Sequence, residues 1–181
     1  MQRSESRKRT RLRAYDYSGS GVYFMTVCTE AKRPVLCRIV GAGVLDGPRP
    51  ELTAQGKIVQ NRLEEMERIY DDISIDHYVI MPNHVHLLLT IRGAGPGTWG
   101  TPSPTDAGAR PGTSRTPSPT NARLPQFLST FKRFTNREIG FPIWQRSYHD
   151  HIIRDEPDFL NHWQYIDDNP AKWAEDPYYC D

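Results

Sequence analysis

The sequence predicts an α+β domain. Two stretches, Gly21–Thr29 (GVYFMTVCT) and Ile73–Ile91 (ISIDHYVIMPNHVHLLLTI), are rich in β-branched and aromatic residues and read as strands. Between and after them, apolar residues recur at helical spacing over residues 53–70, 124–139 and 155–169. Adding an extended stretch over Phe141–Arg154 (FPIWQRSYHDHIIR), the order is strand, helix, strand, strand, helix, strand, helix, which is a mixed-class pattern.

Taken in order, the chain opens with an arm, residues 1–18, in which Arg3, Arg7, Lys8, Arg9, Arg11 and Arg13 stand against Glu5. The whole chain carries a net charge of only +1, so this local excess suits a polyanionic partner, with a solvated tail as the alternative. One domain is expected over residues 19–181. After the first strand, residues 30–50 hold scattered Gly and Pro and read as a long connection. Thr53 is placed to cap a helix running to Tyr70, with Val59, Leu63, Met66 and Tyr70 on its apolar face. Residues 92–123 break the periodicity. Gly97–Ala107 (GTWGTPSPTDA) is nearly repeated by Gly112–Ala122 (GTSRTPSPTNA), and Thr-Pro-Ser-Pro offers no stripe to bury, so a flexible insert is expected.

LPQFLSTFKRFTNREIG resumes the order, placing Phe127, Leu128, Phe131 and Phe134 along one helical side and Gly140 past the end. Lys132, Arg133 and Arg137 fall on the other side, as a solvated face or as phosphate contacts. In the last helix Asp155 is the expected N-cap, Asp158 follows three residues on and Pro157 sits in the first turn. Phe159, Trp163 and Ile166 form its stripe, and Pro170 ends it at Asn169.

Cysteines 28, 37 and 180 are odd in number and lack C-x-x-C spacing, which favours a reducing compartment over a disulfide framework or zinc ribbon. No apolar run approaches the roughly 18 residues of a membrane span, and the Arg-rich start has no apolar h-region behind it. A cytoplasmic, nucleoid-associated protein without membrane partners is expected.

The chemistry gathers in two places. His84 and His86, two apart on a strand, project from one face while Val85, Leu87, Leu89 and Ile91 face a core. Two histidines on a rigid strand make half of a metal site, although a bare H-x-H is more often a pair of ordinary strand residues. His149 and His151 repeat the pattern and leave open a four-histidine zinc site. Tyr165 and Asn169, four apart, share a side of the last helix that is not its main apolar stripe.

Four linked blocks, YDYSGSGVYFMTVCT, YVIMPNHVHLLL, WQRSYHDHIIRDE and YIDDNPAKW, resemble the REP-associated tyrosine transposases, the single-tyrosine branch of the His-hydrophobic-His endonucleases. The resemblance covers the chain apart from the proline-rich insert. It implies a ferredoxin-like, RRM-like antiparallel sheet with helices packed on one face and a C-terminal helix carrying a catalytic tyrosine. By position, Tyr165 resembles the nucleophile, His84 and His86 the metal ligands, and Asn169 a further amide ligand; Tyr148 is the next candidate nucleophile. The implied activity is metal-dependent cleavage and rejoining of single-stranded, hairpin-forming DNA (repetitive extragenic palindromes) through a 5′-phosphotyrosine. Magnesium is the implied ion, with manganese better matched to imidazole ligands. Arg7, Lys8, Arg9, Arg11, Arg13, Lys132, Arg133 and Arg137 are the candidate phosphate contacts, and a monomer is favoured over a dimer. Two rivals stand beside this: a non-catalytic hairpin-binding protein that retains the fold, and a metal-dependent RNA endonuclease.

Overall fold

In the computed structural model, residues 20–41, 47–92 and 123–179 are described. The basic arm with Arg7, Lys8, Arg9, Arg11 and Arg13, the repeats of the insert and Cys180 lie outside the described residues. Nine strands and α-helices follow in chain order among the described residues: β1 (Gly21–Cys28), β2 (Cys37–Val40), β3 (Arg49–Leu52), α1 (Ala54–Ile69), β4 (Ile73–Ile80), β5 (His84–Ile91), α2 (Arg123–Ile139), β6 (His149–Ile153) and α3 (Glu156–Asp168).

Four strands form one antiparallel sheet in the order β4-β5-β1-β6, the expected ferredoxin-like arrangement. Alternation along β5 and β1 then sorts the two faces. Val85, Leu87, Leu89 and Ile91 join Tyr23, Met25 and Val27 in the larger core, filled from outside by Val59, Leu63 and Met66 of α1 and Leu124, Phe127, Leu128 and Phe131 of α2. The opposite face carries His84, His86 and Leu88 beside Phe24 and Thr26, and α3 covers part of it. Apolar contact is thinner there: Ile166 is the buried residue of α3, with Phe159 and Trp163 half-buried.

Local chemistry explains the element ends. The Thr53 hydroxyl accepts from the Gly56 amide at 3.1 Å and reaches the Leu36 carbonyl, so one side chain caps α1 and ties it to the preceding loop. Asp155 caps α3 by accepting from the Asp158 amide at 2.9 Å. The return arm differs from a reciprocal capping box, because the Asp158 carboxylate accepts from the Arg154 amide and pairs with His151 instead.

Three expectations need correction. Residues 30–50 contain a ribbon, β2 paired with β3, where the sequence suggested only a connection. Pro50 obscured it, but a proline is tolerated in a two-stranded ribbon because one strand edge stays unpaired. Phe134 is half-exposed under the Arg133 guanidinium, while Leu124 and Thr135 take buried positions on α2. Of the stretch 141–154, only His149–Ile153 forms a strand. The insert departs from the Ile91 end of β5, about 24 Å along the strand from His84 at the usual rise per residue. Asp72 marks its base, accepting from the Arg92 amide through its carbonyl and from Arg123 Nε through its carboxylate.

Gly56 is where α1 presses on the loop before β2: a Cβ there would lie 2.0 Å from the Leu36 carbonyl oxygen. Gly56→Ala is expected to destabilise the domain by about 2–3 kcal/mol through overpacking against backbone, read as a lowered urea midpoint with an unchanged slope.

Candidate metal and phenol site

Across the centre of the sheet, one row of side chains runs Val79, His86, Thr26, His149, and the next runs His77, Leu88, Phe24, His151. His84 and His86 are 0% and 1% exposed. Burial, aided by the Lys32 charge, pushes the His84 pKa down to about 3, and burial with the neighbouring His84 and His162 pushes His86 well below the usual imidazole range. Both rings are therefore neutral.

The tautomer of His84 follows from its neighbours. Asn83 donates through Nδ2 to the carbonyls of Lys32 (3.2 Å) and Tyr178 (2.6 Å), which turns its Oδ1 toward His84. His84 Nδ1 must donate to that oxygen at 2.9 Å, leaving a bare lone pair on Nε2. His86 Nδ1 meets the Thr26 hydroxyl at 2.9 Å, and its Nε2 lies 3.0 Å from that of His84. Two donors about 2.1 Å from one ion stand about 3.0 Å apart at a right angle and about 3.4 Å apart at a tetrahedral angle. The pair thus suits one cis edge of an octahedral cation.

Tyr165 projects from α3 to the same place, 39% exposed, with its ring 5.1 Å from that of His86 and 5.8 Å from Phe24. Burial and the Asp176 charge raise its pKa, partly offset by a hydrogen bond from Asn169, so the phenol is protonated at neutral pH. Asn169 is 3% exposed; its Nδ2 lies 3.3 Å from Asp176 Oδ2, and its Oδ1 is buried without a hydrogen-bond partner. An orphaned buried oxygen beside two imidazole Nε2 atoms 3.0 Å apart is a donor set that fits a divalent ion.

Two residues of this site were missed by sequence reasoning. Asp176, in the segment after α3, brings Oδ2 to 4.0 Å from His84 Nε2. Tyr178 packs its ring 4.9 Å from His84 and hydrogen-bonds Thr26, with burial first among the causes that push its pKa up to about 12. The Tyr-plus-four spacing drew attention to Asn169, whereas Asp176 lies beyond Pro170 in a turn with no periodicity to mark it. This segment is pinned from the far side by Lys32, which donates to the Pro177 carbonyl at 3.1 Å and sits over the Tyr178 ring. Ala31 and Lys32 both adopt φ 53°, left-handed backbone that costs non-glycine residues about 1–2 kcal/mol each. Phe24, Thr26, His86, His149, Tyr165 and Tyr178 line a cleft of about 310 Å³ that reaches His86.

Other expected residues fall elsewhere. Tyr148 is buried in the larger core, so the sheet separates it from the histidines. The four-histidine zinc site does not form among the described residues, because β1 lies between β5 and β6 and His151 pairs with Asp158 at 2.9 Å. Lys132, Arg133 and Arg137 sit on α2, behind the sheet. Lys132 is committed to the carbonyls of Gln145 and Ser147 at 2.8 and 3.0 Å. Arg137 lines a hollow with the acidic Glu65 and Glu138. That placement does not direct them at the cleft.

No protein-family model matches the chain. An uncharacterized protein of Haemophilus influenzae is 33% identical over 177 residues, 97% of this chain and 94% of the relative. A second protein of that organism, assigned by name to the REP-associated tyrosine transposases, is 28% identical over 93 residues, 51% of this chain and 47% of the relative. The solved structure of a REP-associated tyrosine transposase bound to a REP hairpin shares the fold, with a TM-score of 0.57 at 20% identity over 91% of this chain and 74% of that one. A ferredoxin-like sheet with a tyrosine helix on its open face is the architecture of a transposase-type, DNA-processing enzyme. In fold, and over about half of its length in sequence, the chain is similar to the REP-associated tyrosine transposases.

The depressed imidazole pKa values fix the sign of an acid response. The unfolded chain takes up protons below pH 6.5 where the folded one, with His84 near 3, does not. Stability contributed by the neutral rings is complete above pH 6.5 and is lost as pH falls toward 3, by about 1.4 kcal/mol per pH unit per ring. Denaturation of metal-free protein at pH 7 and pH 5 should show this loss, and His84→Gln should reduce it.

Proposed function

We propose that this protein cuts and rejoins single-stranded, hairpin-forming DNA through Tyr165. The observation that carries the reading is that one chain brings the Tyr165 ring within 5.1 Å of His86 on the open face of the sheet. A DNA-binding role alone requires neither a phenol nor a facing pair of imidazole nitrogens at that spot. His84, His86 and the free Oδ1 of Asn169 would hold a divalent ion, magnesium or manganese. When bound, it supplies positive charge to a phosphate oxygen as the pentavalent transition state forms.

The remaining steps belong to the side chains. Tyr165 Oη attacks the phosphorus, the P–O3′ bond breaks, and the phenolic proton ends on the departing 3′-hydroxyl. A 5′-phosphotyrosine remains. A 3′-hydroxyl reverses the step without ATP, because an aryl oxygen leaves more readily than an alkoxide. Asn169, hydrogen-bonded to Tyr165, holds the phenol toward the cleft. Phe24 backs that phenol edge-on, and the cleft's aromatic walls offer surfaces on which an unpaired base can stack. The nucleophile and the histidines come from the same chain, which supports action as a monomer. The partner is a hairpin of the REP type, as in the related solved complex, and the basic arm is proposed to contact its phosphates.

With a labelled DNA hairpin and manganese, wild-type protein should form a denaturant-stable adduct. Tyr165→Phe should form none while retaining hairpin affinity within about threefold, because only one hydroxyl is removed. An adduct that persists in Tyr165→Phe would assign the nucleophile elsewhere, with Tyr178 first in line. A matched RNA hairpin that reacts equally well would replace DNA as the substrate.

A further inference from the structure

The geometry points to Asp176 as an additional, anionic ligand of the ion held by His84 and His86, making the segment after α3 part of the metal site. The inference rests on the proposed metal site, but its support is separate from the tyrosine chemistry.

The Asp176 side chain is 2% exposed. One of its oxygens is satisfied locally, since Oδ1 accepts from the Tyr178 amide at 2.6 Å. The other, Oδ2, has a long contact of 3.3 Å from Asn169 and otherwise faces His84 Nε2 at 4.0 Å. His84 Nε2 is within ion-pair distance of this carboxylate. The Nδ1 proton of that imidazole is already committed to Asn83, so Nε2 turns a lone pair toward the carboxylate. A buried carboxylate facing the lone pair of His84 Nε2 gains no ion pair from it, and the two electron-rich groups repel in a dry site. A divalent cation between Oδ2 and the two Nε2 atoms removes the mismatch, and these three donor atoms already lie within 4.8 Å of one another.

The second group of potential donors on this face contrasts with it. His151, Asp158 and His162 are also mutually close, but the two rings stack face to face at 4.6 Å with planes 19° apart. In-plane lone pairs of stacked rings do not converge on one point. His162 Nδ1 also donates to the Asp158 carbonyl at 2.8 Å. That group clamps α3 to β6 rather than holding an ion.

Two consequences follow for the ion. A carboxylate lowers the net charge at the centre from that of the bare ion by one unit, and it adds an oxygen donor that magnesium accepts more readily than imidazole. Asn169 becomes the bridge between metal and nucleophile, with Nδ2 toward Asp176 and a hydrogen bond to Tyr165.

Calorimetric titration of the intact protein with manganese and with magnesium, without DNA, tests this. Asp176→Asn should weaken manganese binding at least about tenfold and magnesium binding more, because the site turns toward nitrogen and amide donors. Melting in EDTA supplies a second readout. Asp176→Asn relieves a buried charge, so its metal-free melting temperature should equal or exceed that of wild type, while the rise on adding manganese should shrink. If His84→Ala abolishes manganese binding and Asp176→Asn leaves it unchanged, Asp176 is no ligand and the histidine site stands without it. If neither substitution affects binding, the metal site itself is wrong. A lower melting temperature of Asp176→Asn in EDTA, with manganese affinity retained, would make Asp176 a purely structural cap.

Discussion

The arrangement depends on the double covering of one strand. β5 has hydrocarbon on one side, through Val85, Leu87, Leu89 and Ile91, and a roofed polar row on the other. Water is kept from His84 and His86, so neither ring can hold a proton beyond the one it needs to be neutral. Asn83 supplies the finer constraint. Its amide is oriented by two carbonyls before it meets His84, so the ring presents a chosen nitrogen rather than either of two. Desolvation sets charge and hydrogen bonding sets direction, and both are fixed before any ligand arrives.

The two faces of the sheet are held together by different means. Behind it, α1 and α2 bury continuous apolar surface. In front, α3 is fastened mainly at its edges. His77 stacks on Trp163 at 4.3 Å and meets Asp167 at 2.7 Å on the β4 side, while His151 and His162 meet around Asp158 on the β6 side. Phe24 packs beneath, touching His162, His86 and Tyr165. A helix attached by polar edge contacts is easier to displace than one seated in a core, since few apolar contacts must separate. The large core carries the stability of the domain, and the front face is left free to present polar groups.

Much of this was readable in the chain itself. Alternation along ISIDHYVIMPNHVHLLLTI gives β4, β5 and the side to which His84 and His86 point, because period two leaves no other option. The caps at Thr53 and Asp155 were legible because the interaction spans three residues. Long-range pairing was not. Nothing local says that Thr26 would meet His86 across 60 residues, or that Asp176 would turn back to His84. Lys132 shows the same limit in reverse: its charge suggested a surface role, yet its ammonium holds the 145–147 loop. The ribbon of β2 and β3 was hidden by Pro50, whose signal is real but less restrictive at an unpaired edge.

Asp72 fastens both ends of the excursion between β5 and α2, through the Arg92 amide and the Arg123 guanidinium. That gateway lies at the pole of the sheet opposite the imidazoles. Chain length there is decoupled from the geometry that matters, since a closed base reports nothing of what it encloses and loop closure grows only slowly more costly with length. The same doorway could admit a foreign domain, turning a compact enzyme into a carrier whose passenger travels on the side away from its working face.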